Sequence, residues 1–200
     1  MRWIGFRFCA LARYLRAVVL LGATATLVSS CGRAVDWIRG AGLGPPNRTI
    51  APGKSIYGVP MGASKERFIR RCGRPTGELQ LANGELLLIY GVKHAFFFRD
   101  DRLVGVCVWT SPILLGPINW VLAPSRFDEV SWRLSNGITN YMTLKDVKAI
   151  LKERLVPYGG SPDHWDRQYF RENGMRVELQ FGICFPKEES PVAAILAKAE

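Results

Sequence analysis

Histidine and cysteine, the side chains that most often do chemistry, are scarce. His94 and His164 are the only histidines in 200 residues, beside five cysteines. No C-x-x-C pair occurs, which removes the common redox and zinc spacings. G-x-S-x-G, H-E-x-x-H and P-loop patterns are missing too. Asp163-His164-Trp165-Asp166 has acid–base residue types, yet sequence neighbours in a strand point to opposite faces. These residues are expected in turns or at the surface. No catalytic residue, cofactor or metal is expected.

Long apolar runs are also missing. Ala17 to Val28 is twelve residues, about 18 Å as a helix against a hydrocarbon core of about 30 Å. Extending the run backwards meets Arg16 and Arg13. Acidic residues are absent among Arg2, Arg7, Arg13 and Arg16, and Ser29-Ser30 closes the run. A basic start, a short apolar stretch and small residues predict a cleaved export signal over residues 1–30.

Val28-Ser29-Ser30-Cys31 resembles the lipobox of bacterial lipoproteins. The resemblance implies a lipid on the Cys31 thiol, cleavage just before it and acylation (palmitate) of the new amino terminus. Several acyl chains make release from a bilayer slow, whereas one anchors marginally. Gly32 implies the outer membrane, facing the periplasm. Gly40, Gly42, Gly44, Pro45, Pro46, Pro52 and Gly53 predict a lipidated tether over residues 31–55.

Without residues 1–30 the chain has 170 residues, and the net charge of +10 falls to +6. A basic balance favours anionic partners. An exported, tethered chain meets anionic lipid or another envelope protein, so nucleic acid is not an expected partner. Cys72, Cys107 and Cys184 allow at most one disulfide and are expected as small buried residues.

Residues 56–110 and 137–186 share a register. Ser64, Phe68 and Cys72 correspond to Thr143, Val147 and Leu151, each pair 79 residues apart, and Tyr90 and Tyr169 keep that offset. Ser64 and Thr143 are natural helix N-caps. Phe68, Ile69 and Cys72 form one apolar stripe; Leu144, Val147, Ile150 and Leu151 form the other. Asn83-Gly84, Asp100-Asp101 and Asn173-Gly174 sit where hairpins turn. Met175, Val177, Leu179 and Phe181 alternate with Arg176, Glu178 and Gln180, as in a sheet with one wet face. The fold expected is α+β, a two-layer tandem repeat of a helix plus antiparallel β-hairpins. An apolar Pro-containing linker, 111–136, joins the copies, and 187–200 forms a tail, a short docked helix or a frayed end.

Gly62-x-Ser64, Phe68 and Cys72-Gly73-x-Pro75, followed by a tyrosine-bearing strand and a Phe-rich one, resemble the repeat of the BamE (SmpA/OmlA) family. The unit also resembles that found twice in β-lactamase-inhibitory-protein-like folds. The resemblance covers residues 57–109 well and 137–185 less well; Ala63 and Tyr141 depart from it, and no Gly-x-Pro follows Leu151. It implies a non-catalytic envelope scaffold or, alternatively, an inhibitor of a secreted hydrolase.

Arg67, Arg70, Arg71 and Arg74 recur at helical neighbour spacing beside the apolar stripe. Four like charges repel one another, and an anionic partner would relieve this. Trp120, in the linker, is a second candidate contact for lipid or partner. The expected function is a membrane-anchored scaffold or protein-binding module. An envelope enzyme would instead need His94 or His164 in a pocket with a carboxylate or cysteine.

The intact mass of membrane-extracted protein is expected to carry a lipid-sized increment that the Cys31→Ala form lacks. Equal lipid-free masses would remove the anchor.

Overall fold

The computed structural model describes residues 44–111, 124–160 and 165–200. The export signal, Cys31, Trp120 and His164 lie outside the described residues.

Most of the described chain is extended. Four short strands, β1 (Thr49–Ala51), β2 (Ser55–Ile56), β3 (Val59–Pro60) and β8 (Arg133–Leu134), form a small sheet in the order β3-β2-β1-β8. The larger sheet begins with an antiparallel meander: β4 (Gly77–Gln80), β5 (Leu86–Tyr90), β6 (His94–Arg99) and β7 (Arg102–Trp109). A second set follows: β9 (Val156–Pro157), β10 (Arg167–Glu172), β11 (Met175–Phe181) and β12 (Val192–Ala199). β12 pairs antiparallel with β7, joining both sets into one eight-stranded sheet, β4-β5-β6-β7-β12-β11-β10-β9. Asp100-Asp101 and Asn173-Gly174, all at positive φ, make the two tight hairpins.

Two helices, α1 (Lys65–Cys72) and α2 (Leu144–Leu151), precede the two strand sets. Ser64 Oγ accepts the Arg67 N–H at 3.2 Å and Thr143 Oγ accepts the Asp146 N–H at 3.2 Å. The Asp146 carboxylate accepts the Thr143 N–H in return. Each cap satisfies donors that the first helical turn leaves free. Phe68 and Cys72 of α1, and Leu144, Val147 and Leu151 of α2, are buried. They join one core with Leu88, Tyr90, Phe96, Val106, Val177, Leu179, Ile195 and Ala197 of the large sheet and Ile50, Ile56 and Leu134 of the small one. The Phe68 ring lies 4.6 Å from Phe96, 5.5 Å from Phe98 and 5.7 Å from Tyr90. Tyr90 Oη donates to the Gly73 carbonyl at 2.7 Å, tying the cap of α1 to the sheet.

The expected tandem repeat of helix plus hairpins is corrected. Strands dominate the described residues, and a single continuous sheet replaces separate repeated units. The tail expected as a helix or frayed end supplies the decisive strand, β12, with Val192, Ile195 and Ala197 fully buried. A strand enclosed by neighbours tolerates a nearly continuous apolar run, alanines included. Within the 31–55 expected as a tether, β1 is a strand that buries Ile50 completely. The expected linker contains a 3-10 turn (Arg126–Glu129) and β8, and buries Trp132. Ile150 and Cys184, expected inside, are exposed.

Phe68→Ala is expected to cost about 3–5 kcal/mol in urea denaturation. A loss below about 1 kcal/mol would mean that α1 does not anchor the sheet.

Candidate interaction surface

α1 turns Phe68 and Cys72 inwards, which leaves Arg67, Arg70 and Arg71 on its exposed side, with exposed Arg74 just past the Gly73 cap. Arg70 and Arg71 lie in the last turn, where positive charge complements the helix dipole by about 0.3–1 kcal/mol. Arg70 approaches Glu66 at 3.6 Å, an exposed pair worth about 0–1 kcal/mol. Among the described residues, Arg67, Arg71 and Arg74 make no ion pair. The four arginines therefore form a largely uncompensated cationic edge. Lys65 on the same helix is engaged with Glu78 at 2.8 Å. Cys31 and Trp120, the other sequence candidates, cannot be placed against this edge because they lie outside the described residues.

The groups with nucleophilic or basic potential are buried. His94 Nε2 faces Tyr57 Oη at 3.0 Å, packed against Phe96 and Phe127. Burial first, and the Lys93 charge second, lower its pKa to about 3. His94 is therefore neutral at neutral pH, and among the described residues no carboxylate hydrogen-bonds to it to orient it as a base. Burial raises the Cys72 thiol to about 12 although Arg71 pulls it down, and burial raises Cys107 further still. Such thiols stay protonated and unreactive.

The sheet face opposite the helices contains features that sequence spacing missed. Glu85, 1% exposed, receives Arg99 at 2.8 Å and Lys198, and Asn83 Nδ2 donates to it at 3.0 Å. Burial alone would raise its pKa. The hydrogen bonds from Lys198, Arg99 and Asn83 outweigh burial and hold it near 2. Lys198 also lies over the Phe97 ring at 4.8 Å, so this cluster ties β6 to β12. Further along, Arg167 lies over Tyr158 at 4.5 Å and Arg176 over Tyr169 at 4.3 Å. Glu178 Oε1 is 3.0 Å from Arg176 Nε, a charge contact without hydrogen-bond alignment. Arg167, Tyr169 and Arg171 alternate along β10, and that period was the available signal. Carboxylates of Glu178 and Glu200 already occupy these arginines, whereas on α1 only Arg70 has such a partner among the described residues.

Among solved structures, the chain is similar to an extracellular protein containing an SCP domain from Bacillus anthracis str. Ames. The identity is 10% and the TM-score 0.46, over 70% of this chain and 44% of that one. It is also similar to a cysteine-rich secretory protein from Staphylococcus aureus subsp. aureus Mu50. There the identity is 6% and the TM-score 0.44, over 79% of this chain and 50% of that one. The chain thus spans half or less of the length of these structures. No protein-family model matches, and no curated protein does. The expected kinship with BamE-like lipoproteins and β-lactamase-inhibitory proteins is corrected accordingly. The strand order that β12 creates, one continuous eight-stranded sheet, is not the one the short motif implied.

Glu85 has a lowered folded pKa, so its contribution to stability is complete above about 4.5 and disappears as pH falls towards about 2. Glu85→Gln is expected to lose about 1–3 kcal/mol at pH 7. Urea midpoints of the two proteins should converge over that acidic window; a gap constant down to pH 2 would contradict the ion cluster.

Proposed function

We propose that the chain is an exported, non-catalytic binding module, held at the outer membrane by lipid on Cys31, that engages an acidic face of another envelope protein. The cationic edge of α1 carries this reading. Among the described residues, Arg67, Arg71 and Arg74 are exposed without carboxylate partners, on a helix whose opposite side is locked into the core. Holding charges in place before contact lowers the ordering cost of association, and complementary charge speeds encounter. Attachment to a membrane would raise the local concentration further. The neutral, buried state of His94, Cys72 and Cys107 supports a binding role over catalysis. An envelope or extracellular location is compatible with the export signal and with the exported proteins to which the fold is similar.

Cross-linking in intact membranes followed by pull-down is expected to recover a discrete acidic envelope protein. Reversing Arg67, Arg70, Arg71 and Arg74 to Glu should abolish that recovery while leaving the urea midpoint within about 0.5 kcal/mol of wild type. Undiminished recovery would remove the edge from the function. Charge-dependent binding of the Cys31→Ala protein to phosphatidylglycerol vesicles, and not to phosphatidylcholine ones, would transfer the contact from protein to lipid.

A further inference from the structure

A cleft of about 210 Å³ opens where the end of β7 meets the segments around Glu129 and Tyr141. It is separate from α1, and the inference drawn from it rests on the preceding proposal only for the envelope location. Its wall is fixed by Asp128, whose carboxylate accepts the N–H groups of Val92 at 2.8 Å, Lys93 at 3.0 Å and Ser125 at 2.8 Å. Gly91 makes this possible, since a Cβ there would collide with that carboxylate. Asp128 is thus consumed in holding the turn Arg126–Glu129 against the sheet. The residues that follow it are carried along the cleft.

Three aromatic residues line this space: Trp109, half-buried at the end of β7 and packed against Leu87, Ile89 and Ala95, the buried Trp132, and Tyr141, 65% exposed. Tyr141 has φ of 68°, a left-handed conformation that a bulky residue adopts at a cost. Glycine would serve the backbone better, so neither core packing nor turn geometry calls for an aromatic here. Strain of this kind is retained where the side chain is used. The cleft is also lined by Glu129, Ser131 and Asn140, whose side chains make no hydrogen bond among the described residues, and by Lys93.

We infer that this cleft binds a neutral sugar ring of an envelope polysaccharide. A sugar offers hydroxyls that donate and accept around its edge, matching the carboxylate, hydroxyl and amide. Its C–H faces stack on aromatic rings, matching Trp109 and Tyr141. The volume lies below the roughly 300–1,000 Å³ of sites for drug-sized ligands, which suits one ring. Lys93 offsets one of the two carboxylates that line the cleft, and that of Asp128 is held by three N–H groups, so an anionic ligand gains little there.

The test titrates the full exported protein with glucose, galactose, N-acetylglucosamine and cellobiose, followed by tryptophan fluorescence and by chemical shifts of the indole N–H groups. Saturable binding of at least one sugar is expected. Tyr141→Gly should weaken it by about two- to tenfold while raising or leaving unchanged the urea midpoint, because the backbone strain is relieved. Trp109→Ala should weaken it likewise, and the fourfold α1 charge reversal should leave it intact. Absence of saturable binding across the panel overturns the inference, as does binding unaffected by both aromatic substitutions. Sugar binding lost only with the α1 arginines would assign it to that edge instead.

Discussion

The pairing of β12 with β7 is the constraint on which the remaining structure depends. Leu196 sits opposite Cys107 and Ala197 opposite Val106, in the middle of the large sheet. Remove that ladder and β4–β7 and β9–β11 become two small sheets, each with an open edge. With it, Val106 and Ala197 share a face with Val177, and both helices have one surface to cover. Small side chains make the junction close. A Cβ at Gly105 would sit 2.7 Å from the Ala197 carbonyl oxygen, so glycine there permits the approach of β12. The Lys198–Glu85–Arg99 cluster then fastens the same junction on the opposite face.

The two faces of the sheet have different physical roles. The helix-covered face is a dense aromatic core, where Phe68, Tyr90, Phe96 and Phe127 meet mostly edge to face or tilted. Such rings fix the orientation of α1 and, through it, of the arginines. The other face changes character from strand to strand, from Leu87, Ile89 and Ala95 on β5 and β6 to interleaved arginine and tyrosine on β10 and β11. Charge on that half is largely balanced locally, which is why the less compensated edge of α1 stands out as the candidate contact.

Local features were legible in the sequence because their causes are local. Ser64 and Thr143 cap helices for reasons that lie within four residues, and Asn173-Gly174 turns a hairpin through its own backbone preferences. Alternation in Met175–Phe181 likewise reports a strand with one buried face. β12 was misread because Val-Ala-Ala-Ile-Leu-Ala carries helix-forming alanines, and only its neighbours select the extended form. The Glu85–Lys198 contact joins residues 113 apart, a separation no spacing rule reaches. The cleft draws on four separate segments, so its aromatic lining was invisible until the chain was folded.

The position of β12 along the chain also bears on how the protein reaches its destination. Its partner β7 ends at Trp109, more than 80 residues before Val192. Until residues 192–199 arrive, β7 has no neighbour on one side and the central register cannot form. Sheets closed by such distant partners assemble slowly, and an unpaired edge invites association with other chains. If the chain is exported as proposed, the delay has a use: a polypeptide that cannot complete its sheet early stays threadable through a translocation pore. The same delay leaves a newly delivered molecule dependent on protection of β7 until the last strand docks.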